Sequence, residues 1–540
     1  MSLLAVRDLT IALPIGGDRK HAISGVSFTL ERGEILCVVG ESGSGKSVSA
    51  AAVMGLLPPA LKVQSGSIDF AGQDLLRLAS ADMRALRGSR LGMIFQEPMT
   101  ALNPLMRVED QVAEVLEVHG QRAGARARVL ELLQAVNLPD PPAIARAYPH
   151  RLSGGQRQRV MIAIALALEP EILIADEPTT ALDVTTQMQI LCLIRDIQKR
   201  RGTGVLFITH DFGVVAEIAD RVAVMQHGRI VEQGDARTVL NRPQHAYTRA
   251  LIAAVPHRAA AARPQNDRRK LLELVGVDKV YARGRAAFKA VDNANLVIRQ
   301  GETLGLVGES GSGKSTLARC VVNLVKPDGG AIRFDDTDLR HLSRRGWTPF
   351  RRRIQMVFQD PFASLNPRRR VGDIIADGPI GHGVPRPQAL KEARDLLRLV
   401  QLDENALQRF PHEFSGGQRQ RIGIARALAM RPDLLIADEP VSALDVSVQA
   451  QILALLEDLR ARLGLTMLFI THDLRVAAQI CDRVAVMQRG VVVEQGPTAE
   501  VFVRPQHAYT KMLLDSIPGR DWVPPRFDAV SVAASSMAIA

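Results

Sequence analysis

The chain has 540 residues, of which 46% are hydrophobic and 23% charged, and its formal net charge at pH 7 is +11. Its longest apolar run, near Val160–Leu168, is far shorter than the roughly 20 residues that a membrane-spanning helix needs, and its start lacks the features of a signal peptide. Its four cysteines lie far apart and form no C-x-x-C pair, so we expect a soluble intracellular protein without disulfides or cysteine-ligated metals.

The positive charge is compatible with two kinds of partner. It fits nucleic-acid binding, and it equally fits a solvated surface that faces nucleotides and anionic lipid headgroups. The basic clusters Arg351–Arg353 and Arg368–Arg370 contain no interleaved aromatic residues on which bases could stack. We therefore predict that the chain does not bind nucleic acid.

A glycine-rich loop follows the first strongly apolar segment, Ile35–Val39. The sequence Gly-Glu-Ser-Gly-Ser-Gly-Lys-Ser at 40–47 fits the phosphate-binding pattern G-x-x-x-x-G-K-[ST], which needs this strand–loop–helix context. Its glycines let backbone N–H groups surround phosphates, although a single match also fits a simple glycine-rich turn. The candidate nucleotide-binding residues are Gly40, Ser42, Gly43, Ser44, Gly45, the positively charged Lys46, and Ser47, which is also a candidate ligand of Mg²⁺.

A polar strand end and a helical stretch come next. Gln96 ends the predicted strand Met93–Phe95, where its amide could contact Mg²⁺ or an attacking water, although a lone glutamine indicates little. The apolar spacing then becomes that of a helix face, at Val129, Leu132, Leu133 and Val136. This spacing predicts a small helical subdomain inserted into a sheet domain, and it is also the spacing of any core-facing helix.

A Ser-Gly-Gly-Gln motif at 153–156 follows that helical stretch. Ser153 can cap the next helix, whose N-terminus presents free N–H groups and the positive end of the helix dipole. The glycines at 154 and 155 would let the backbone approach an anion closely. Because a cap alone needs neither a second glycine nor a glutamine, we predict that Ser153, Gly154, Gly155 and Gln156 bind an anionic ligand.

Two further strands end in residues suited to phosphate chemistry. Asp176 follows the predicted strand Ile172–Ala175, where its carboxylate can reach Mg²⁺ directly or through water. Glu177 is placed to polarise a water that attacks the γ-phosphate, a role worth about 10²–10⁴ in rate; the two acids alone would equally fit caps of the following turn. His210 follows the strand Val205–Thr209 and could hydrogen-bond the γ-phosphate, although a lone strand-end histidine is usually structural.

Each of these motifs occurs a second time. The phosphate loop returns at Gly308, 268 positions later (308 − 40), and the Ser-Gly-Gly-Gln, Asp-Glu and histidine elements return 262 positions later (415 − 153). Pro-Gln-His-Ala-Tyr-Thr at 243–248 reappears at 505–510. The second set of candidates comprises Gly308, Ser310, Gly311, Ser312, Gly313, Lys314, Ser315, Gln359, Ser415, Gly416, Gly417, Gln418, Asp438, Glu439 and His472. Two identical loops in matching contexts predict two bound nucleotides.

One α/β domain has therefore been duplicated and fused. Apolar strands before the loops, acids and histidines, with helical segments between them, predict tandem P-loop NTPase domains with mostly parallel sheets. Each half, at roughly 250 residues, is long enough to bury its own core. We predict domains at 1–257 and 271–517, a linker at 258–270 and a disordered tail at 518–540.

Taken together, the motifs resemble the ATP-binding cassette (ABC) family over residues 1–517. Both halves also contain the Ala-Leu-Asp motif, at 181–183 and 443–445. The resemblance implies an ATP hydrolase that binds ATP and Mg²⁺, with these candidate metal contacts: Ser47, Gln96, Asp176, Ser315, Gln359 and Asp438. It also implies that the halves pack head to tail, with Lys46 facing 415–418 and Lys314 facing 153–156, so that ATP joins them and hydrolysis releases them.

Flanking motifs resemble the oligopeptide/dipeptide importer branch of that family. They are Phe-Gln-Glu-Pro at 95–98 with Ala-Leu-Asn-Pro at 101–104, Phe-Gln-Asp-Pro at 358–361 with Ser-Leu-Asn-Pro at 364–367, Tyr-Pro-His at 148–150 and Phe-Pro-His at 410–412. This implies an ATPase subunit at the cytoplasmic face of the inner membrane that powers uptake of peptides, glutathione or nickel. Two separate permease subunits would contact the surfaces around Gln96 and Gln359, and an extracytoplasmic solute-binding protein would deliver the solute.

Two departures from the branch affect the expected sites. Many members have cysteines near the C-terminus that ligate an iron–sulfur cluster, but no cysteine lies near Pro256 or Pro518, so we predict no cluster. The family's adenine-stacking aromatic corresponds to Tyr281 in the second half, whereas ungapped alignment places Leu13 opposite it. Weaker stacking in the first site would cost about 1–3 kcal/mol of nucleotide affinity. Because both sites retain the glutamate, histidine and signature motif, we expect both to hydrolyse ATP.

Three other classes fit less well. A tandem ABC protein acting on ribosomes or nucleic acid, the principal alternative, typically has a long charged helical linker, whereas the predicted linker is short. A DNA-repair or chromosome ATPase would have zinc-ligand cysteine pairs or a long heptad insertion between Lys46 and Asp176, and this sequence has neither. An exporter would usually have membrane helices fused to the ATPase.

Overall fold

The computed structural model describes residues 2–14, 19–180, 182–256, 268–283, 286–442, 444–525 and 527. It divides the chain into two compact units, the first formed by Met1–Leu182, Thr186–Val255 and Pro518–Ala540, and the second by Asp183–Thr185 and Pro256–Ile517. Residues 258–267 of the predicted linker, 528–540 of the predicted tail, and Ala181 and Ala443 lie outside the described residues. The domain boundaries at 257, 270 and 517 stay predictions.

The first unit contains two sheets. Its strands are β1 (Leu4–Ala12), β2 (His21–Leu30), β3 (Ile35–Val39), β4 (Lys62–Phe70), β5 (Gln73–Asp74), β6 (Leu91–Ile94), β7 (Ile172–Asp176), β8 (Gly204–Thr209), β9 (Arg221–Gln226) and β10 (Arg229–Asp235). One sheet has the order β2-β1-β4-β5 and the other the order β10-β9-β3-β8-β7-β6. In the second sheet β9, β3, β8, β7 and β6 pair in parallel, and β10 is antiparallel to β9.

The helices of the first unit connect and cover these strands. They are α1 (Lys46–Val53), α2 (Ser80–Leu86), α3 (Pro98–Ala101), α4 (Val108–Val118), α5 (Ala125–Ala135), α6 (Pro141–Ala145), α7 (Gly154–Ala165), α8 (Val184–Arg201), α9 (Phe212–Ile218), α10 (Ala236–Asn241) and α11 (Ala246–Ala253). Helices α3–α7 lie between β6 and β7 in the chain, which is the predicted helical insertion. Val129, Leu132 and Leu133 are buried on α5, as their spacing predicted.

The second unit repeats the strand arrangement. Its strands are β11 (Lys270–Arg283), β12 (Ala286–Arg299), β13 (Thr303–Val307), β14 (Gly329–Phe334), β15 (Thr337–Asp338), β16 (Ile354–Val357), β17 (Leu434–Asp438), β18 (Thr466–Thr471), β19 (Arg483–Gln488) and β20 (Val491–Pro497). The sheets have the orders β12-β11-β14-β15 and β16-β17-β18-β13-β19-β20. The predicted α/β fold with mostly parallel sheets is therefore confirmed in both units.

The helices of the second unit follow the same plan. They are α12 (Lys314–Val321), α13 (Thr348–Arg353), α14 (Pro361–Ser364), α15 (Val371–Gly381), α16 (Arg386–Leu399), α17 (Gly416–Leu428), α18 (Val446–Leu463), α19 (Leu474–Ile480), α20 (Thr498–Val503) and α21 (Ala508–Asp515). Among the residues that the structure describes, no helix combines the length and apolarity that crossing a membrane requires.

The parallel strands form where the sequence has continuous apolar runs. Every residue of Ile35–Val39 is buried, and Leu36 and Val38 lie in a core that also contains side chains of α1 and of the four-stranded sheet, so this face of the strand is covered by both. The predicted strand Met93–Phe95 ends one residue too late, since β6 ends at Ile94. In both units the strands β3, β7 and β8, or β13, β17 and β18, bring their carboxyl ends to one edge of the sheet, where ligands of open α/β folds bind.

Candidate functional site

The phosphate loop of the first unit connects β3 to α1 and has the backbone shape of an anion cradle. A Cβ atom on Gly40 would lie 2.2 Å from the carbonyl oxygen of Met225, so the loop passes too close to the neighbouring strand for any other residue. Gly45 has φ +104°, the left-handed conformation, at the point where α1 begins. Gly308 and Gly313 repeat both features, with a Met487 carbonyl 2.2 Å from the Cβ position and φ +107°.

Lysines lie under both loops. Lys46 is 5% exposed, and its Nζ donates to the carbonyl oxygens of Gly40 at 2.8 Å and Glu41 at 2.9 Å. Lys314 is 4% exposed and donates to Gly308 and Glu309 at 2.8 and 2.7 Å. Burial lowers the pKa of Lys314, which marks an ammonium group that would gain from an anion beside it.

The surroundings of the first loop fit the phosphates of a nucleotide; in the second loop the corresponding Ser312 Oγ accepts from Lys314 Nζ at 3.3 Å. The hydroxyl of Ser44 is buried and has no hydrogen-bond partner within the described residues, so it is available to a ligand oxygen. Ser42 and Gly43 are exposed, and a Cβ at Gly43 would meet nothing within 4 Å, so space remains on the outer side of the loop. A buried cation, free loop space and an unused buried donor are together the chemistry that binds phosphate.

A hydroxyl and a carboxylate suited to Mg²⁺ meet beside each loop. Ser47 Oγ donates to Oδ1 of Asp176 at 3.0 Å, and Ser315 Oγ donates to Oδ1 of Asp438 at 2.8 Å. Burial raises the pKa of Asp176 to about 6, although the Ser47 hydrogen bond acts against this rise, and burial also raises the pKa of Asp438. Because a nearby cation would offset this cost of burying a carboxylate, the donor set fits a hard divalent ion.

Glu177 lies at the centre of a polar cluster in the first unit. Its carboxylate accepts hydrogen bonds from Gln96 Nε2 at 3.0 Å and Thr180 Oγ1 at 2.9 Å, and its Oε1 lies 3.3 Å from Nδ1 of His210. Burial alone would raise the pKa of Glu177, but hydrogen bonding and the charge of His210 lower it to about 2. Burial alone would lower the pKa of His210, yet Glu177 raises it. Glu177 is therefore a fixed, ionised acceptor.

Glu439 has the same surroundings in the second unit. Gln359 Nε2 donates to its Oε2 at 2.9 Å, and His472 Nδ1 lies 3.2 Å from the same oxygen. Although burial opposes it, the hydrogen bond and charge of His472 lower the pKa of Glu439. Both glutamates have positive φ angles, 46° at Glu177 and 47° at Glu439, which non-glycine residues rarely adopt. The nearly equal φ angles show that the chain makes the same turn at the end of β7 and of β17.

The Ser-Gly-Gly-Gln motifs have structural reasons that the sequence argument missed. Ser153 Oγ accepts from the backbone N of Gln156 at 3.2 Å, and Gln156 Oε1 accepts from the N of Ser153 at 2.9 Å, so the glutamine completes a capping box at α7. A Cβ on Gly155 would lie 2.8 Å from Cγ2 of Thr186, so the second glycine allows close packing on α8. The expectation that the glutamine has no part in the cap is therefore wrong, whereas the second glycine is explained by packing and not by the cap. Gly154 has open space around its Cβ position.

The second copy of this motif is built in the same way. Ser415 and Gln418 form a capping box at α17, and a Cβ on Gly417 would lie 2.3 Å from Cγ1 of Val448. A Cβ on Gly416 would make ordinary contact, at 3.5 Å, with Leu444. The pairing of each signature motif with the opposite phosphate loop stays a prediction.

The candidate adenine contact differs between the units. In β11 and β12, Val280 pairs with Lys289 and Tyr281 with Phe288. In β1 and β2, Ala12 pairs with His21, and the N of Leu13 donates to the carbonyl of Lys20 at 3.0 Å. The matching registers place Leu13 where the second unit has Tyr281. The Tyr281 side chain is 40% exposed, and Lys279 Nζ lies 5.4 Å from its ring centroid.

Each unit thus brings together most of the residues predicted from sequence. Phosphate loop, Ser–Asp pair, glutamine, glutamate and histidine meet at one sheet edge, connected by hydrogen bonds between the Asp-Glu strand and its neighbours. Sequence reasoning missed the tyrosines at 247 and 509, whose hydroxyl groups bond to Glu41 and Glu309 in the phosphate loops. The repeated Pro-Gln-His-Ala-Tyr-Thr motif was the signal that could have identified them.

Two family models match the chain, each of them twice. The model described as ABC transporter matches residues 23–180 and 291–442, and the model described as Oligopeptide/dipeptide transporter, C-terminal region, matches 231–276 and 493–524. The matched segments lie in both units and include the phosphate loops and the Pro-Gln-His-Ala-Tyr-Thr motifs.

Several relatives align with this chain over nearly their whole length. The chain is 50% identical to the "Peptidoglycan transport ATP-binding protein YejF" of Agrobacterium fabrum, over 95% of this chain and 96% of that protein. It is 46% identical to the "Uncharacterized ABC transporter ATP-binding protein YejF" of Escherichia coli K12, over 95% and 99%. It is 45% identical to the "Glutathione import ATP-binding protein GsiA" of Escherichia coli O157:H7, over 96% and 90%.

Proposed function

The chain belongs to the ABC transporter family, and we propose that it is the ATPase subunit of a bacterial importer of peptides or related small peptide-containing solutes. The observation that carries the proposal is the pair of equivalent clusters of phosphate loop, Ser–Asp pair, glutamine, glutamate and histidine, one in each unit, in a chain that matches import ATP-binding proteins over nearly its whole length. Relatives named for peptidoglycan and for glutathione share peptide bonds in their solutes. This common chemistry favours a peptide-containing solute over nickel.

ATP would bind with its phosphates in the loops 40–47 and 308–315. The backbone N–H groups of each loop, the buried ammonium of Lys46 or Lys314 and the hydroxyl of Ser44 or Ser312 would hold the phosphate oxygens. Tyr281 would stack on adenine in the second unit, and Leu13 would provide only an apolar contact in the first. The phosphate contacts therefore supply the larger share of affinity in the first unit.

Mg²⁺ would be held by Ser47 and Asp176 in one unit and by Ser315 and Asp438 in the other. When bound, it would neutralise charge on the phosphate oxygens. Gln96 and Gln359 already donate to the catalytic-site glutamates, so their amide carbonyl oxygens remain available toward the metal or the attacking water.

Hydrolysis would depend on Glu177 and Glu439. Glu177 accepts hydrogen bonds from Gln96 and Thr180 and lies beside His210, so its carboxylate is held in place to orient and polarise a water that attacks the γ-phosphate. His210 and His472 fix the glutamates and carry hydrogen-bond capacity toward the γ-phosphate. Both glutamates have a positive φ where the chain leaves its strand, and their carboxylates contact residues that follow neighbouring strands, Gln96 and His210 in the first unit.

The transport cycle would use both sites. We propose that ATP in each loop is closed by the signature motif of the other half, 415–418 for Lys46 and 153–156 for Lys314, as the family resemblance implies. Closure would be transmitted through the surfaces around Gln96 and Gln359 to two permease subunits, placing the chain at the cytoplasmic face of the inner membrane. A solute-binding protein outside would supply the solute, with no nucleic acid and no iron–sulfur cluster involved.

Purification of the chain from gently solubilised native membranes tests this function. We expect two multi-spanning permeases in roughly equal amount, and reconstitution of that complex with a solute-binding protein should give ATP-dependent uptake of peptides. The E177Q/E439Q double variant is the matched control, because it should keep the permeases and lose the uptake. Recovery with ribosomes or nucleic acid, and absence from membranes, would instead establish the soluble tandem ATPase.

A further inference from the structure

The repeated Pro-Gln-His-Ala-Tyr-Thr motif builds an anchored helix start in both units. In the first unit the Glu232 carboxylate accepts from the backbone N of Gln244 at 2.7 Å and of His245 at 3.1 Å, which ties the motif to β10. His245 Nδ1 then accepts from the N of Tyr247 at 3.2 Å and caps α11. The motif therefore fixes the direction of the first turn of the helix.

The second unit has the same anchor. Glu494 of β20 accepts from the N of Gln506 at 2.8 Å and of His507 at 3.1 Å, and His507 Nδ1 accepts from the N of Tyr509 at 3.2 Å. Equal geometry in two copies indicates that the motif does the same task in both.

The first turn of this helix places a tyrosine hydroxyl within hydrogen-bonding distance of the phosphate loop. Tyr247 is 3% exposed, and its Oη accepts from the backbone N of Glu41 at 3.1 Å and donates to Oε2 of Glu41 at 3.2 Å. Tyr509 is 5% exposed and makes the same two hydrogen bonds to Glu309, at 3.1 and 3.2 Å. One hydroxyl thus holds both the backbone and the side chain of the second loop residue.

The lysine holds the other side of that residue. The carbonyl of Glu41 accepts from Lys46, as does the carbonyl of Gly40. A phosphate in the loop competes with these carbonyls for the ammonium group, because an anionic oxygen is the stronger acceptor. When Lys46 turns to the phosphate, the tyrosine bonds remain to keep the loop in shape.

The tyrosine hydroxyl also interacts with the negatively charged side chain of Glu41. Glu41 is a carboxylate inside a loop built to bind anions, where its charge opposes that of a phosphate. A hydrogen bond donated to this carboxylate disperses part of its negative charge and fixes its orientation. Burial raises the pKa of Tyr509, so this hydroxyl keeps its proton across the physiological pH range.

We propose that Tyr247 and Tyr509 are positioning residues for ATP, holding Glu41 and Glu309 so that the phosphate loop stays shaped for the phosphates once the lysine binds them. The inference rests on the proposed ATP binding at these loops. It assigns a task to the C-terminal region of each half, which reaches back to the site through α11 or α21.

The test compares phenylalanine variants of the full chain, because Tyr→Phe removes the hydroxyl and keeps the ring in the core. ATP binding without Mg²⁺, which prevents hydrolysis, is measured by calorimetry, and the affected site is identified by 8-azido-ATP labelling and peptide mapping. We expect Y247F to weaken the Lys46 site and Y509F the Lys314 site, each by about tenfold, as for loss of a hydrogen bond to a charged group. The KM for ATP should rise by a similar factor while kcat changes little.

The two variants serve as controls for each other, because they carry the same chemical change at different loops: Y247F should leave ATP binding at the Lys314 site at the level of the parent chain, and Y509F should do so at the Lys46 site. A purely structural role would lower the unfolding temperature and leave both affinities unchanged, and that result would overturn the inference. If one variant does not fold, the other still decides the matter at its own site. If the parent chain itself fails to bind ATP, the proposed function fails instead.

Discussion

The two units place the same polar groups at their candidate sites, but some of the residues around those groups differ. Corresponding hydrogen bonds at the catalytic sites differ by 0.2 Å or less, as between Ser47–Asp176 at 3.0 Å and Ser315–Asp438 at 2.8 Å. One difference, at Leu13 and Tyr281, concerns a residue that would contact the base; another lies nearer the reacting phosphate, where Thr180 Oγ1 donates to the Glu177 carboxylate but Ser442 Oγ donates to the backbone carbonyl of Glu439. The Ser–Asp and Gln–Glu contacts of the candidate catalytic residues are therefore closely repeated, whereas the candidate base contact is not.

The sheet cores differ in a second way. At one pair of packed positions, the cysteine and the smaller residue have changed places between the two units. In the second unit a Cβ on Gly305 of β13 would lie 2.7 Å from Sγ of Cys481, just after α19. The first unit has Cys37 at the position of Gly305 and Ala219 at the position of Cys481, so the sulfur comes from the strand instead of the helix end. Burial raises the pKa of Cys37, which keeps it a neutral core thiol. One sulfur fills the space in each copy because a packed core conserves total volume.

The largest expected effect tests whether the catalytic sites are equal. We predict that the E177Q/E439Q double variant loses ATPase activity by about 10²–10⁴, because neither site retains an ionised acceptor for the attacking water. Each single variant should also lose a substantial part of the turnover, measured as phosphate release at saturating ATP. E131Q, at an exposed position on α5, is the control and should keep full activity. A single variant with untouched turnover would contradict equal competence.

The next prediction concerns the difference in adenine stacking. Y281L should weaken ATP binding at the second site by about 1–3 kcal/mol, because it makes that site like the first, and L13Y should strengthen the first site in the opposite sense. Tripolyphosphate, which has no base, serves as the control ligand. Its affinity should be the same in the parent chain and in both variants, as measured by calorimetry. Equal loss for tripolyphosphate would mean that the substitution disturbs the loop and not the stacking.

The smallest expected effect concerns stability, and it tests whether the side chains at positions 305 and 481 fill one shared space in the core. G305C should destabilise the second unit by about 1–3 kcal/mol, because two sulfurs would compete for one space. Adding C481A to G305C reproduces the arrangement of the first unit and should recover most of the lost stability, measured as the midpoint of chemical unfolding. If the double variant is no more stable than G305C alone, the two positions do not share one volume.

Much of the site could be predicted from the sequence because its residues come in short motifs. Lys46 and Ser47 belong to one loop, and Asp176 and Glu177 are neighbours at one strand end, so spacing alone identified them. Parallel strands then required that the two groups meet at one sheet edge. The roles of Gly155 and Gln156 were misjudged because their partners, Thr186 and the cap of α7, are matters of packing and local geometry that spacing does not show.

The sequence by itself determined the tandem P-loop fold and predicted one nucleotide site in each half, since the apolar strands and the motifs beside them occur twice. Only the tertiary structure decided that Tyr247 contacts Glu41, a residue 206 positions earlier, and that the pKa of Glu177 is lowered by His210. The physical reason is that hydrogen bonding and electrostatics depend on distance in space. The chain order fixes such distances within a motif, but between motifs they are set by how the strands and helices pack.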